Sequence, residues 1–150
     1  MTDQMIRESQ VQSTAAISTK IAIVVRTDLP TWQKLNVAAF LASGIAASSP
    51  ESIGRGYNDA DGTRYTPLFG QPVMVFGADR ERLTRTLNRA LSRGVVPAIF
   101  TTELFTTGHD EANRAAVAAA ARDSLDLAGI AIRADRRTID KIVDGLRLHQ

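Results

Sequence analysis

The chain predicts an α/β fold: a three-layer α/β/α sandwich on a four-stranded mixed, largely parallel sheet, with a small β-hairpin insertion. Short β-branched apolar runs alternate with segments whose apolar residues recur every three or four positions, the pattern of strands separated by crossover helices. The runs are continuous rather than alternating, as in strands buried on both faces. A length of 150 residues, 44% hydrophobic and 23% charged, is that of one ordinary domain. Residues 1–19, rich in Ser, Thr and Gln without periodicity, are expected to form a flexible arm, and residues 20–150 the domain.

Ile21-Ala22-Ile23-Val24-Val25 is the first strand. Asp28-Leu29-Pro30-Thr31 breaks it, and Leu35, Ala38, Ala39, Ala42 and Ile45 mark a helix face that ends at Ser48-Ser49-Pro50. Residues 51–70 are rich in Gly, Asp, Asn and Pro, and Asp61-Gly62 between Tyr57 and Tyr65 predicts a hairpin tip. Pro72–Phe76 is the second strand, and Asp79 a cap for a helix from Arg80 to Arg93 that Gly94 stops. Val95–Phe100 is the third strand, His109–Arg122 an alanine-rich helix, Leu127–Ile132 the fourth strand and Asp135–Leu146 the last helix.

Composition narrows function by exclusion. There is no cysteine, and His109 and His149 are the only histidines, so neither a disulfide framework nor a zinc site is expected, and no cofactor is implied. No apolar run approaches the roughly 20 residues of a membrane helix, and residues 1–19 lack a signal-peptide core. A cytoplasmic protein without membrane contact is expected. The net charge of +2 does not imply a general nucleic-acid binder. Arginine supplies all the positive charge except Lys20, Lys34 and Lys141, which makes each lysine a candidate. No phosphate loop, dinucleotide fingerprint or nucleophile elbow is present.

Ligands in such sheets bind beyond the strand carboxyl ends, here Arg26–Asp28, Gly77–Asp79, Thr101–Glu103 and Arg133–Asp135. Arg26-Thr27-Asp28 followed by Lys34 and Asn36 could gather a carboxylate, hydroxyl, ammonium and amide around an acyl or phosphate group. The plainer reading makes Asp28 a turn cap and Lys34 a solvated side chain. His109 and Asn113, four apart, share a helix face, which makes His109 a candidate general base. The plainer reading is a helix start capped by Thr107, with Asp110 and Glu111 complementing its dipole, which accounts for the acidic pair but not for His109. Arg82, Arg85, Arg89 and Arg93 form a stripe that could track phosphates, although a solvated face is the commoner explanation.

Lys20-Ile21-Ala22-Ile23-Val24-Val25, Asp28-Leu29-Pro30, Trp32-Gln33-Lys34-Leu35-Asn36, Tyr57-x-Asp59-Ala60-Asp61-Gly62 and Gly108-His109-Asp110-Glu111-Ala112-Asn113-Arg114 resemble the uncharacterised family catalogued as Domain of Unknown Function 2000. The resemblance runs from Lys20 to Leu148. That family is considered similar in fold to type II peptidyl-tRNA hydrolases, four-stranded proteins that commonly dimerise, so the resemblance implies a peptidyl-tRNA hydrolase II-like domain and a homodimer. The ending Ile139-Asp140-Lys141-Ile142-Val143-x-Gly145-Leu146-x-Leu148 also resembles that enzyme. With a one-residue gap Lys34 takes the place of the hydrolases' early helical lysine. Their glutamine and histidine fall on Ala38 and Leu41, and Thr101-Thr102-Glu103-Leu104 replaces their Asp-Ala-Gly segment.

The expected function is a divergent pocket for a small anionic or acyl ligand; the alternative is a hydrolase of peptidyl-tRNA or a related ester or amide. Lys34, Asp28 and His109 are the candidate catalytic residues. Thr27, Asn36, Thr101, Asp110 and Asn113 are the candidate ligand-binding residues. The expected partners are the small ligand and a second copy of the chain, with tRNA in the alternative.

Overall fold

A computed structural model describes residues 18–150. The arm expected over residues 1–19 lies outside these except for Ser18 and Thr19, and Thr19 already opens the first strand, β1 (Thr19–Arg26). Residues Ile21 to Val25 are all buried, and they face alternately up and down, as a strand's two-residue period requires. Ile21, Ile23 and Val25 pack with Val37, Leu41 and Ile45 of α1 (Thr31–Ser48). Ala22 and Val24 pack instead with Leu83, Leu87 and Ala90 of α2 (Arg80–Ser92), and with Ile139 and Ile142 of α4 (Arg136–Ile142). Each helix thus buries its apolar stripe against one of two clusters that share β1.

The hairpin forms from β2 (Tyr57–Asn58) and β3 (Arg64–Tyr65), with Tyr57 opposite Tyr65. Gly62, at φ +81°, turns its tip, a left-handed conformation that glycine adopts without steric cost. β4 (Val73–Ala78), β5 (Ala98–Thr101), β6 (Leu127–Asp135) and β7 (Arg147–Leu148) complete the main sheet in the order β5-β6-β1-β4-β7.

Two expectations about this sheet are corrected. It has five strands rather than four, because the short segment after α4 pairs with β4. It is also largely antiparallel: only β1 and β4 run parallel, while β6 opposes both β1 and β5, and β7 opposes β4. β6 is buried because it lies between two strands and under helices. Its long apolar run reports that coverage and not its direction. As a result Arg133–Asp135 sits at the opposite end of the sheet from Arg26, with Asp135 opposite Thr19.

Asp79 caps α2 by accepting a hydrogen bond from the Arg82 backbone N–H at 2.8 Å, and Gly94 ends the helix at φ +72°, both as expected. Helix α3 is shorter than expected, Asp110–Ala118, and no residue within it is fully buried. Its alanines offer little apolar area to hold a longer helix against the core. The chain turns into a single 3₁₀ turn at Arg122–Ser124 before β6. Among the described residues, no helix is long and apolar enough to cross a membrane.

Candidate functional site

The register brings the ends of β1, β4 and β5 together with the start of β6. Arg26, the last residue of β1, lies there with its side chain only 15% exposed. Its Nε donates to Asp28 at 2.7 Å and its Nη1 to Asp126 at 2.6 Å. Asp126 also accepts from the Thr102 hydroxyl at 2.7 Å, and the Arg80 Nε lies 3.3 Å away. Two carboxylates thus share two guanidinium groups across three strand ends.

These contacts set the charges. The hydrogen bond from Arg26 holds the Asp28 carboxyl below its ordinary value, and that from Asp28 raises the Arg26 guanidinium above its own. Burial alone pushes the Asp126 carboxyl up. The hydrogen bonds from Thr102 and Arg26, with the charges of Arg26 and Arg80, together outweigh burial and bring it below the ordinary value. The network is closed at neutral pH: the Arg26 fork is occupied by carboxylates and does not face an incoming anion.

Other candidate residues have unspent capacity. Lys34 is half-buried in the first turns of α1, seven and eleven positions before Leu41 and Ile45, and so on the helix side that faces the sheet. Its ammonium forms no hydrogen bond or ion pair with any described residue. Asn36 is exposed on the same helix. Thr101 is buried, and its hydroxyl has no partner among the described residues. The Thr27 backbone N–H donates to the Ala78 carbonyl at 3.0 Å, extending the β1–β4 pairing by one residue.

His109, Asp110 and Asn113 are committed locally. The His109 Nδ1 accepts from the Ala112 backbone N–H at 3.2 Å and caps α3, so in the neutral ring the remaining nitrogen carries hydrogen and has no free lone pair. Asp110 pairs with Arg114 at 2.6 Å, and Asn113 accepts a hydrogen bond from the Thr107 hydroxyl. No hydrogen bond or ion pair joins His109 to Lys34 or Asp28.

The other histidine was not singled out by the sequence. The His149 backbone N–H donates to Val75 at 2.9 Å, which carries its ring over Gly77. A Cβ on Gly77 would lie 3.3 Å from the His149 Cδ2 and 2.8 Å from the Thr27 Cγ2, so the glycine lets both side chains close over β4. His149 Nδ1 lies 2.9 Å from the Gln150 carbonyl. A carbonyl only accepts, so Nδ1 carries a hydrogen, and in the neutral ring the lone pair is on Nε2. Nε2 is buried and without a partner among the described residues. The signal available in sequence was a histidine one residue beyond an edge strand, too short a pattern to read.

An aromatic run flanks this end of the sheet. Trp32 meets Phe105 edge-on at 5.8 Å between centroids, Phe105 meets Phe100 at 5.0 Å, and Phe100 meets Phe40 at 5.7 Å. Among the described residues no group of three or more metal-ligating side chains occurs.

The architecture is that of a mixed α/β protein with a five-stranded sheet, and its polar groups collect where β1, β4 and β5 end. The chain belongs to the DUF2000 family of proteins of unknown function, whose model matches residues 19–150. It is similar to the solved structure of the protein of unknown function Atu0240 from Agrobacterium tumefaciens strain C58, with a TM-score of 0.86 and 45% sequence identity. That match covers 89% of this chain and 98% of the other. No curated protein matches the chain.

Proposed function

We propose that the protein binds a small anionic or acyl ligand at the end of β1, with Lys34 holding the ligand's oxygen. The observation that carries this reading is a half-buried lysine at the sheet-facing side of α1 whose ammonium has no described partner, a donor left open to a ligand oxygen. In the proposed site Thr27, Asn36 and Thr101 supply hydrogen bonds, and Asp28, itself held in place by Arg26, orients the group. The two clusters on either side of β1 support a three-layer arrangement around it.

The alternative reading is a hydrolase of peptidyl-tRNA or a related ester or amide with Lys34 and His109 in the site. It requires His109 to give up its capping bond to Ala112 before either ring nitrogen can take a proton. One experiment separates the readings. Thermal shifts with acetate, inorganic phosphate and N-acetylglycine, beside peptidyl-tRNA cleavage, are measured on the parent protein and on Lys34→Ala. The binding reading expects a shift from one of these probes that Lys34→Ala weakens by about tenfold in affinity, with no cleavage by either protein. Cleavage that disappears in both Lys34→Ala and His109→Ala would replace it with the hydrolase. Probe shifts unchanged by Lys34→Ala would remove Lys34 from the site.

A second copy of the chain is the proposed partner, docked through the outer face of α1. From Leu35 to Pro50 there is no charged residue, and Trp32, Leu35 and Phe40 are 59%, 67% and 59% exposed. Solvent-facing helix surfaces ordinarily carry charge, and a neutral stripe is complementary to a copy of itself about a two-fold axis. Sedimentation velocity is expected to show a dimer that Phe40→Glu converts to a folded monomer. A parent protein that sediments as a monomer at all concentrations would refute this.

A further inference from the structure

We propose that the cleft at the β2–β3 hairpin is a second binding site, for a phosphate monoester that carries a planar ring, of mononucleotide size. The cleft has a volume of about 700 Å³ and is lined by Arg55, Arg64, Tyr57, Tyr65 and Phe69. That volume lies within the range of small-molecule sites. Among the described residues no carboxylate lines it. Neither guanidinium forms an ion pair or hydrogen bond with a described residue, so both planar forks are open to phosphate oxygens.

The rings are set for stacking. Tyr57 and Tyr65 are directly opposed across the hairpin and 51% and 54% exposed. The Tyr65 hydroxyl donates to Asp59 Oδ2 at 2.7 Å, while Asp59 Oδ1 accepts from the Asp61 and Thr63 backbone N–H groups at 2.9 Å each. The Asp59 carboxylate is therefore spent on the turn, and it fixes the Tyr65 ring. An exposed ring held in place offers a face to a base at small entropic cost.

The cleft's base is built from close backbone approaches. A Cβ on Gly54 would lie 3.2 Å from the Gly70 Cα, the same holds in reverse, and a Cβ on Gly56 would lie 3.0 Å from the Tyr65 carbonyl oxygen. A second basic cleft, of about 600 Å³ beside Arg89, Arg93, Arg137 and Lys141, lacks these properties. Asp140 and Asp144 line it, and Arg89 already donates to the Asp144 carbonyl at 2.9 Å.

The test is calorimetric titration at low salt of AMP, adenosine, inorganic phosphate and a 5′-phosphorylated octaribonucleotide into the full chain. AMP is expected to bind at least about tenfold more tightly than adenosine or inorganic phosphate alone. Arg55→Gln and Arg64→Gln are each expected to weaken AMP by about tenfold, and Tyr57→Ala to weaken AMP but not phosphate. Arg122→Gln, the same charge change on an exposed turn elsewhere, is expected to leave the affinity unchanged. Stronger binding of AMP than of the oligonucleotide assigns the site to free nucleotides, and the reverse assigns it to an RNA end. Absent AMP binding, AMP no tighter than phosphate, or affinities insensitive to both arginine variants while the folding transition is intact would each overturn the proposal. Because inorganic phosphate is also a probe of the Lys34 site, the titrations are repeated on Lys34→Ala. AMP binding that persists there and is weakened by Arg55→Gln and Arg64→Gln belongs to the hairpin cleft, so this site and the one at the sheet's end fail separately.

Discussion

Replacing Gly129 by alanine is expected to destabilise the protein by about 1–3 kcal/mol, the usual range for overfilling a packed core. Gly129 lies in β6 between Val25 of β1 and Phe100 of β5, under the crossing of α1. A Cβ there would meet the Val37 Cγ1 at 2.6 Å, the Leu41 Cδ1 at 2.9 Å and the Val24 carbonyl oxygen at 3.0 Å. Val37 and Leu41 are 0% and 2% exposed, so neither has free volume to move into. The Val24 carbonyl belongs to the strand ladder with Ile130 and cannot retreat without weakening it. Alanine is otherwise the better strand residue, so the measured loss is net of that gain. Urea unfolding of Gly129→Ala, Val37→Ala and the double variant isolates the cause. If the methyl groups collide, the double variant loses less than the two single losses combined. Additive losses, or a Gly129→Ala protein as stable as the parent, would show that α1 shifts freely on the sheet.

That close approach was available in sequence as a glycine inside an apolar strand, a known mark of neighbouring backbone. The strands and most helix limits were also legible, because two-residue and 3.6-residue periods are written locally. Strand direction is not. The run Leu127–Ile132 reads the same in either orientation, and continuous burial suggested a parallel neighbour. From that one error two misplacements follow. A parallel β6 puts Arg133–Asp135 beside Arg26 and Asp126 at the far end, whereas the antiparallel β6 does the reverse. Asp126, the carboxylate that binds Arg26, Arg80 and Thr102, was therefore invisible to the sequence argument, although Arg26 and Asp28 were not. β7 escaped because two residues carry no period. His109 was read for a spacing that the helix start uses, with Nδ1 and the Thr107–Asn113 bond both spent on local structure.

Removing the Arg26 guanidinium, as in Arg26→Met, is expected to cost about 2 kcal/mol at neutral pH. This lies between the small worth of exposed pairs and the larger loss when a buried pair is broken. The site is intermediate: the Arg26 side chain is 15% exposed and that of Asp126 is 28%. Without Arg26, Asp126 keeps Thr102 at 2.7 Å and Arg80 at 3.3 Å, so one acid is left under-compensated rather than isolated. The pH dependence gives the prediction its sign. The Asp28 and Asp126 carboxyls titrate below their ordinary values in the folded protein, so the stability they contribute is fully present above the unfolded value, near 4. It is lost as pH falls through the lower folded values. In Arg26→Met the burial of Asp126 acts with less opposition and moves its titration upward. The stability difference between parent and variant is therefore expected to be largest at neutral pH and to shrink as the solution is acidified below about pH 4. Asp59 and Asp135, whose values are also lowered by the hydrogen bonds of Tyr65 and Thr138, are common to both proteins and cancel in the difference. Urea unfolding of the two proteins at several pH values measures it. A difference that stays constant down to pH values below the folded range would mean that Arg26 acts by packing its stem and not by its charge.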